Sequence, residues 1–160
     1  MADAREAAAE LGSGLADFPD LYYAGYTQDA MKEYVEACIT YAIIYEEPWP
    51  TPEALGVESA AYLQGMAEAV GELRRRILDI IRRGQLEEGE RILAVMEEIY
   101  SVLVTVDFPN ALTGGLRRLT DMVRGVLERT RGDLTMAIRQ EALRRALEEF
   151  ESRLDVRGDG

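Results

Sequence analysis

Apolar positions recur every three or four residues along this chain, and no stretch sustains the alternation of a half-buried strand. That period predicts an all-α protein. An Ala-rich segment over about residues 3–11 forms a first short helix, broken by Gly12-Ser13-Gly14. DFPDLYYAGY then leads into a long helix over about 24–46, which the run PWPTP (48–52) ends, because successive prolines cannot continue it. Thr51-Pro52-Glu53 opens one short turn, with Thr51 as N-cap and Pro52 at N1, closed by Gly56. A second long helix spans about 59–83 with Gly84 just past its end, and a third covers about 86–106 before Phe108-Pro109.

The last segment, about 113–153, contains Gly132. Leu116, Leu119, Val123, Val126, Thr130, Leu134 and Ala137 nevertheless keep a three-four spacing straight through it. A break would reset that phase, so one helix is expected, at most kinked at Gly132 and about 60 Å long. A compact monomer of 160 residues does not bury such a helix, so its far end is expected to pack on another subunit. No repeat, low-complexity tract or linker divides the chain. A single domain over 1–160 is expected, an antiparallel helical bundle with a short N-terminal segment over 1–20.

Composition narrows the chemistry. Nearly half the residues (48%) are apolar and 30% are charged, which suits a packed domain. The chain has no histidine and one cysteine, Cys38, which removes zinc sites of the N/S kind, histidine bases and Ser-His or Cys-His nucleophile pairs. A ferritin-like di-iron site, which needs Glu-x-x-His, goes with them. The lone cysteine fits a reducing compartment. No apolar run approaches the roughly 20 residues of a membrane span, and MADAREAAAELGSG has no hydrophobic signal core. A soluble, cytoplasmic protein is expected.

The net charge of −12 is unevenly spread. Residues 1–70 hold 13 acids and only Arg5 and Lys32 as bases; residues 71–160 hold 17 acids and 16 arginines. Within the acidic part, KEYVEA (32–37) puts Glu33 and Glu36 on one helix face, three residues apart. MAEAVGELRRR (66–76) does the same with Glu68 and Glu72 at i and i+4, flanked by Tyr62, Leu63, Met66, Val70 and Leu73. Small Gly65, Ala67, Ala69 and Gly71 let another backbone approach. Two helices joined by a Pro-rich turn, expected antiparallel, thus each carry an acid pair beside apolar residues. Facing each other, four carboxylates repel unless protonated or bridged by a cation, and the hard cation for oxygen ligands is Mg²⁺ or Mn²⁺. This is a histidine-free route to phosphodiester or pyrophosphate hydrolysis. Acid-rich helical surface, as at Glu87, Glu88, Glu90, Glu97 and Glu98, is the ordinary alternative for any one such pair.

KEYVEA resembles the Q-E-Y-V-E-A signature of the translin and translin-associated factor X family. YLQGMAEAVGELRRR (62–76) is similar to that family's Y-L-L-G-x-A-D-x-x-G-E-L-x-R segment, and DFPNALTGGLRRLTDMVRGVLERTRGDLTMAIRQ (107–140) looks like archaeal translin-family C-terminal helices. The three stretches cover most of residues 20–150. The resemblance implies an all-α fold, a hollow octameric barrel of like subunits, and Mg²⁺-dependent endoribonuclease action on single-stranded RNA inside it, with single-stranded DNA as a further partner. It carries the family's catalytic acids onto Glu33, Glu36, Glu68 and Glu72. Two departures stand out: Glu68 replaces the family's usual Asp, and only about 20 residues precede DFPDLYYAGY where the family has a long helix, so the chain is naturally short or a fragment.

Arginine suits phosphate contact because its planar fork binds oxygens in pairs. Of the arginines after the second acid pair and along the last helix, Arg74, Arg75, Arg117, Arg118 and Arg124 are the candidates for holding an RNA backbone; the others are expected to pair with acids or serve subunit contacts. Tyr22, Tyr23, Tyr26 and Tyr34 offer rings for stacking on bases, though packing is the expected fate of most. Two other functions fit the residues: an all-α nucleoside triphosphate pyrophosphohydrolase, which would release pyrophosphate, and a non-catalytic single-stranded nucleic-acid-binding subunit.

Overall fold

The structure, a computed structural model, describes the backbone of residues 2–158 and the side chains of residues 3–109 and 112–153. Eight helices follow one another, with no strand among the described residues: α1 (Ala2–Gly14), α2 (Pro19–Tyr22), α3 (Gly25–Ile44), α4 (Pro52–Leu55), α5 (Ser59–Arg83), α6 (Leu86–Thr105), α7 (Asn110–Thr113) and α8 (Leu116–Gly158). The all-α reading and the long final helix hold, and α8 passes through Gly132 without interruption.

Helix ends follow local chemistry. Thr51 Oγ1 accepts the amide of Ala54 at 3.2 Å, capping α4, and Gly56 closes it in the left-handed region with φ 68°. Gly84 does the same for α5 at φ 72°, with its own amide donating to Ile81 O and that of Gln85 to Ile80 O. At the end of α3 the left-handed residue is Glu46, φ 56°, and the Glu47 amide closes on Ala42 O at 2.8 Å. The chain therefore leaves α3 before the prolines arrive. The first helix ends within the expected Gly12-Ser13-Gly14 break, at its last residue, Gly14. There Ser13 donates its hydroxyl back to Glu10 O at 3.1 Å, and the Leu15 amide still reaches Leu11 O.

Four long helices, α3, α5, α6 and α8, make the core, with α5 packed against the other three. Leu73, Ile77 and Ile80 of α5 are fully buried among Ile39 of α3, Ile92, Met96 and Ile99 of α6, and Val123 of α8. The antiparallel order holds for α5–α6, where Arg76 pairs with Glu88, and for α6–α8, where Arg131 pairs with Glu97. The α3–α5 pair, expected antiparallel, is parallel. Tyr23, just before α3, donates to Glu58 Oε1, just before α5, at 3.4 Å. At the other end Arg91, in the second turn of α6, donates to Ile43 O at 3.1 Å and lies 3.5 Å from Glu46. The physical reason is the connection over 45–58. An extended segment of that length reaches about 45 Å, more than the roughly 30 Å of α3, so it carries the chain back along the bundle before α5 starts. Tyr62 pins the return by donating its hydroxyl to Pro50 O at 2.9 Å.

α8 is buried on one face as far as Leu134. Beyond it, Met136, Leu143, Leu147 and Phe150 are exposed. No helix of the described residues is long and apolar enough to cross a membrane.

Candidate functional site

Gly65 is the reason the acid pairs meet. A Cβ built there would fall 2.5 Å from Lys32 O and 2.7 Å from Val35 Cβ, so only glycine lets α5 lie this close to α3. The fully buried Ala69, one turn on from Gly65 and on the same face, keeps that face small. Because the two helices run the same way, Glu33 and Glu36 stay level with Glu68 and Glu72.

Glu33, Glu36 and Glu68 each present one carboxylate oxygen, and these three oxygens lie within 4.8 Å of one another. Glu33 is exposed; the other two are half-buried. Glu72 stands outside this trio. It shares a groove of about 500 Å³ with Glu33 and Glu36, and its carboxylate takes a hydrogen bond from Arg75. Burial, and then the charges of Glu33, Glu68 and Glu72, push the Glu36 carboxyl above its ordinary value, against the opposing pull of Lys32. The cluster is thus short of positive charge. Hard oxygen donors grouped this way fit a small divalent cation such as Mg²⁺ or Mn²⁺, and the missing imidazoles and thiolates do not suit softer ions.

The sequence reading left Lys32 out, yet it lies among these acids. Its side chain is only 16% exposed, and Nζ lies 3.1 Å from Glu68 Oε1, 3.7 Å from Asp29 and 3.9 Å from Glu33. Burial works against its charge, but the hydrogen bond and charge of Glu68, with Asp29 and Glu33 behind, outweigh that and raise its pKa. A lysine next to a glutamate in sequence reads as solvated surface, so no pattern pointed to it.

The arginine candidates divide. Arg74 donates to Thr130 Oγ1 at 3.0 Å and to Asp133 Oδ2 at 2.8 Å, so it ties α5 to α8 rather than standing on an open surface. Arg75 is held by Glu72. Arg117, Arg118 and Arg124 are exposed, and none forms an ion pair among the described residues. Arg117 lines a second cleft of about 800 Å³ with Val106, Phe108 and Asp121, which none of the four acids borders. Of the tyrosines singled out for stacking, Tyr34 is buried, Tyr22 and Tyr23 pack edge-to-face with each other, and Tyr26 is exposed. Tyr41 and Tyr45, which were not, line the groove of the acids.

No family model matches the chain. An uncharacterized protein of Methanocaldococcus jannaschii is 35% identical over 136 residues, which make up 84% of this chain and 60% of that protein. The chain therefore spans less than two thirds of that relative's length. Among solved structures, AfC3PO in complex with duplex RNA is 40% identical with a TM-score of 0.74, over 81% of this chain and 67% of that one. A crystal structure of AfC3PO gives 39% and 0.72, over 80% and 67%. Apo-NeC3PO gives 26% and 0.75, over 83% and 69%. Identity at this level over two thirds of AfC3PO, on the same helical fold, shows that the chain belongs to the translin family.

Proposed function

We propose that this protein is a metal-dependent endoribonuclease that cleaves single-stranded RNA, working as a homo-oligomer, an octamer by analogy with the family, with Mg²⁺ or Mn²⁺ held by Glu33, Glu36 and Glu68. The observation that carries the reading is the convergence of three carboxylate oxygens from two helices within 4.8 Å. A solvated acidic face has no reason to bring its charges together across a glycine contact. When bound, the ion supplies a more acidic water and neutralises charge building on the phosphate. In this reading Glu72, outside the trio, takes the proton from the attacking water, and Arg75 orients it through their hydrogen bond. Glu36, half-buried among like charges, holds protons more strongly than an ordinary carboxyl, so the cation competes with protons there.

Membership of a family in which AfC3PO is seen with duplex RNA supports RNA as the class of ligand. Arg117, Arg118 and Arg124, exposed and free of ion pairs among the described residues, are retained as candidate contacts to the phosphate backbone. The exposed apolar residues of α8 beyond Leu134 support burial against a second copy.

One observation favours a second reading, a non-catalytic nucleic-acid-binding subunit: the Lys32 ammonium already offsets charge at Glu68. The experiment compares wild type with Glu33→Gln/Glu36→Gln on labelled single-stranded RNA in Mg²⁺, Mn²⁺ or EDTA. Cleavage by the wild type alone, abolished by EDTA, supports the nuclease. Binding without cleavage in any metal supports the second reading, and equal cleavage by the variant sinks the proposed site.

A further inference from the structure

On α3 the residues bordering the groove of the acids form one continuous stripe: Glu33, Glu36, Ala37, Thr40, Tyr41, Ile44, and Tyr45 at its C-cap. The spacing of three and four makes this a single helix face, acidic at its N-terminal end and aromatic at the other. The ring centroids of Tyr41 and Tyr45 are 4.4 Å apart with planes inclined by 32°, so the rings lie against each other in a tilted stack that can be extended on an outer face. They are 37% and 64% exposed and take no part in the buried core. From Glu36 to Tyr41 the helix rises only about 7.5 Å.

We infer that Tyr41 and Tyr45 are a stacking platform for an unpaired nucleobase of the strand whose phosphate is brought to the acids. The inference rests on the nucleic-acid reading given above and deepens it by naming what holds the base. Carboxylates repel a phosphodiester, so the acidic end of the stripe offers a bare strand no affinity of its own. The tyrosine faces do, because every base has a π-face and stacking on an aromatic side chain tolerates any sequence. A base within a duplex has both faces covered by its neighbours and cannot lie on the rings. The platform therefore selects unpaired nucleotides and sets the strand's position along α3.

The test measures binding by fluorescence anisotropy in EDTA, where no cleavage occurs, using oligouridylate and a strand of equal length lacking bases. The variants are Tyr41→Leu/Tyr45→Leu, which keeps apolar bulk, and Tyr41→Phe/Tyr45→Phe, which keeps the rings. Stacking is worth about 1–3 kcal/mol per base, so the leucine variant is expected to bind oligouridylate roughly 5- to 150-fold more weakly. Its binding to the abasic strand stays unchanged, and the phenylalanine variant behaves as wild type. Equal weakening on both strands, unaltered affinity for oligouridylate, or no binding of it by the wild type overturns the inference. So does a fall in assembly mass by light scattering in the leucine variant, which assigns the rings to contact between copies. Cleavage in Mg²⁺ is read separately: its absence in the wild type sinks the nuclease and leaves base-dependent binding to decide the platform.

Discussion

The Lys32 ammonium, on α3, lies 3.1 Å from Oε1 of Glu68, on α5, and so occupies the cluster that the carboxylates of two helices create. It supplies positive charge where a divalent ion is proposed to sit. Ion and lysine therefore compete. Lys32→Gln is expected to tighten Mn²⁺ binding about fivefold or more, from roughly 1 kcal/mol of charge repulsion at a part-exposed site. Titration calorimetry reads it directly. The same variant should melt at a lower temperature than wild type in EDTA and recover on adding Mn²⁺; unaltered Mn²⁺ affinity would show that Lys32 is only a surface partner of Glu68.

Glu36 sets a pH dependence whose sign can be worked out. Its folded pKa lies above the ordinary 4.5, so the folded protein keeps that proton at pH values where the unfolded chain has lost it. Where the folded state binds more protons, stability falls as pH rises. Metal-free wild type should therefore lose stability from about pH 4.5 upward until Glu36 is ionised. Glu36→Gln should lose less over that window, with no difference in slope below it. Melting temperatures in EDTA across pH 4–8 check this, and parallel curves for the two proteins would contradict it.

Gly65→Ala puts a methyl group 2.5 Å from Lys32 O, and the helix axes must part to admit it. Overpacking of this kind costs about 1–3 kcal/mol. A Cβ on Gly71, in the same helix, meets nothing within 4 Å, so Gly71→Ala should be neutral or gain up to about 1 kcal/mol of helix propensity. Denaturant unfolding distinguishes them. Mn²⁺ affinity should fall for Gly65→Ala alone, because the carboxylates of α3 and α5 move apart.

Leu143 and Leu147 are exposed on the part of α8 beyond the core. If this surface is buried between copies, Leu143→Glu/Leu147→Glu should lower the assembly mass in light scattering while leaving the helical circular dichroism of the subunit unchanged. An unchanged mass would move the subunit contact elsewhere.

Much of this architecture was legible in the residues themselves. The phase of α8 through Gly132 survives because an exposed glycine in a helix costs little when Leu134 beyond it still packs. Glu33, Glu36 and Glu68 could be grouped from helical spacing, and Gly65 marked the close approach. Chain direction could not be read so easily. A Pro-rich segment announces the end of α3 but not whether the chain turns back at once or first travels its length, and only contacts such as Tyr23–Glu58 reveal the return. Arg74 looked free because its partners Thr130 and Asp133 are far along the chain. Nothing in the sequence marks Tyr41 and Tyr45, since an aromatic at helical spacing packs more often than it faces a groove.

The parallel pairing of α3 and α5 separates the site from the segment that links its two halves. Residues 45–58 carry the chain from one end of the bundle to the other and add Leu55 and Val57 to the core, while the level of the carboxylates is set by the Gly65 contact and not by loop length. The protein is thus a natural candidate for splitting: a nick or an insertion in the exposed part of that stretch, 45–48, or even expression as two polypeptides that find each other, would still bring the acids of both helices to the same level.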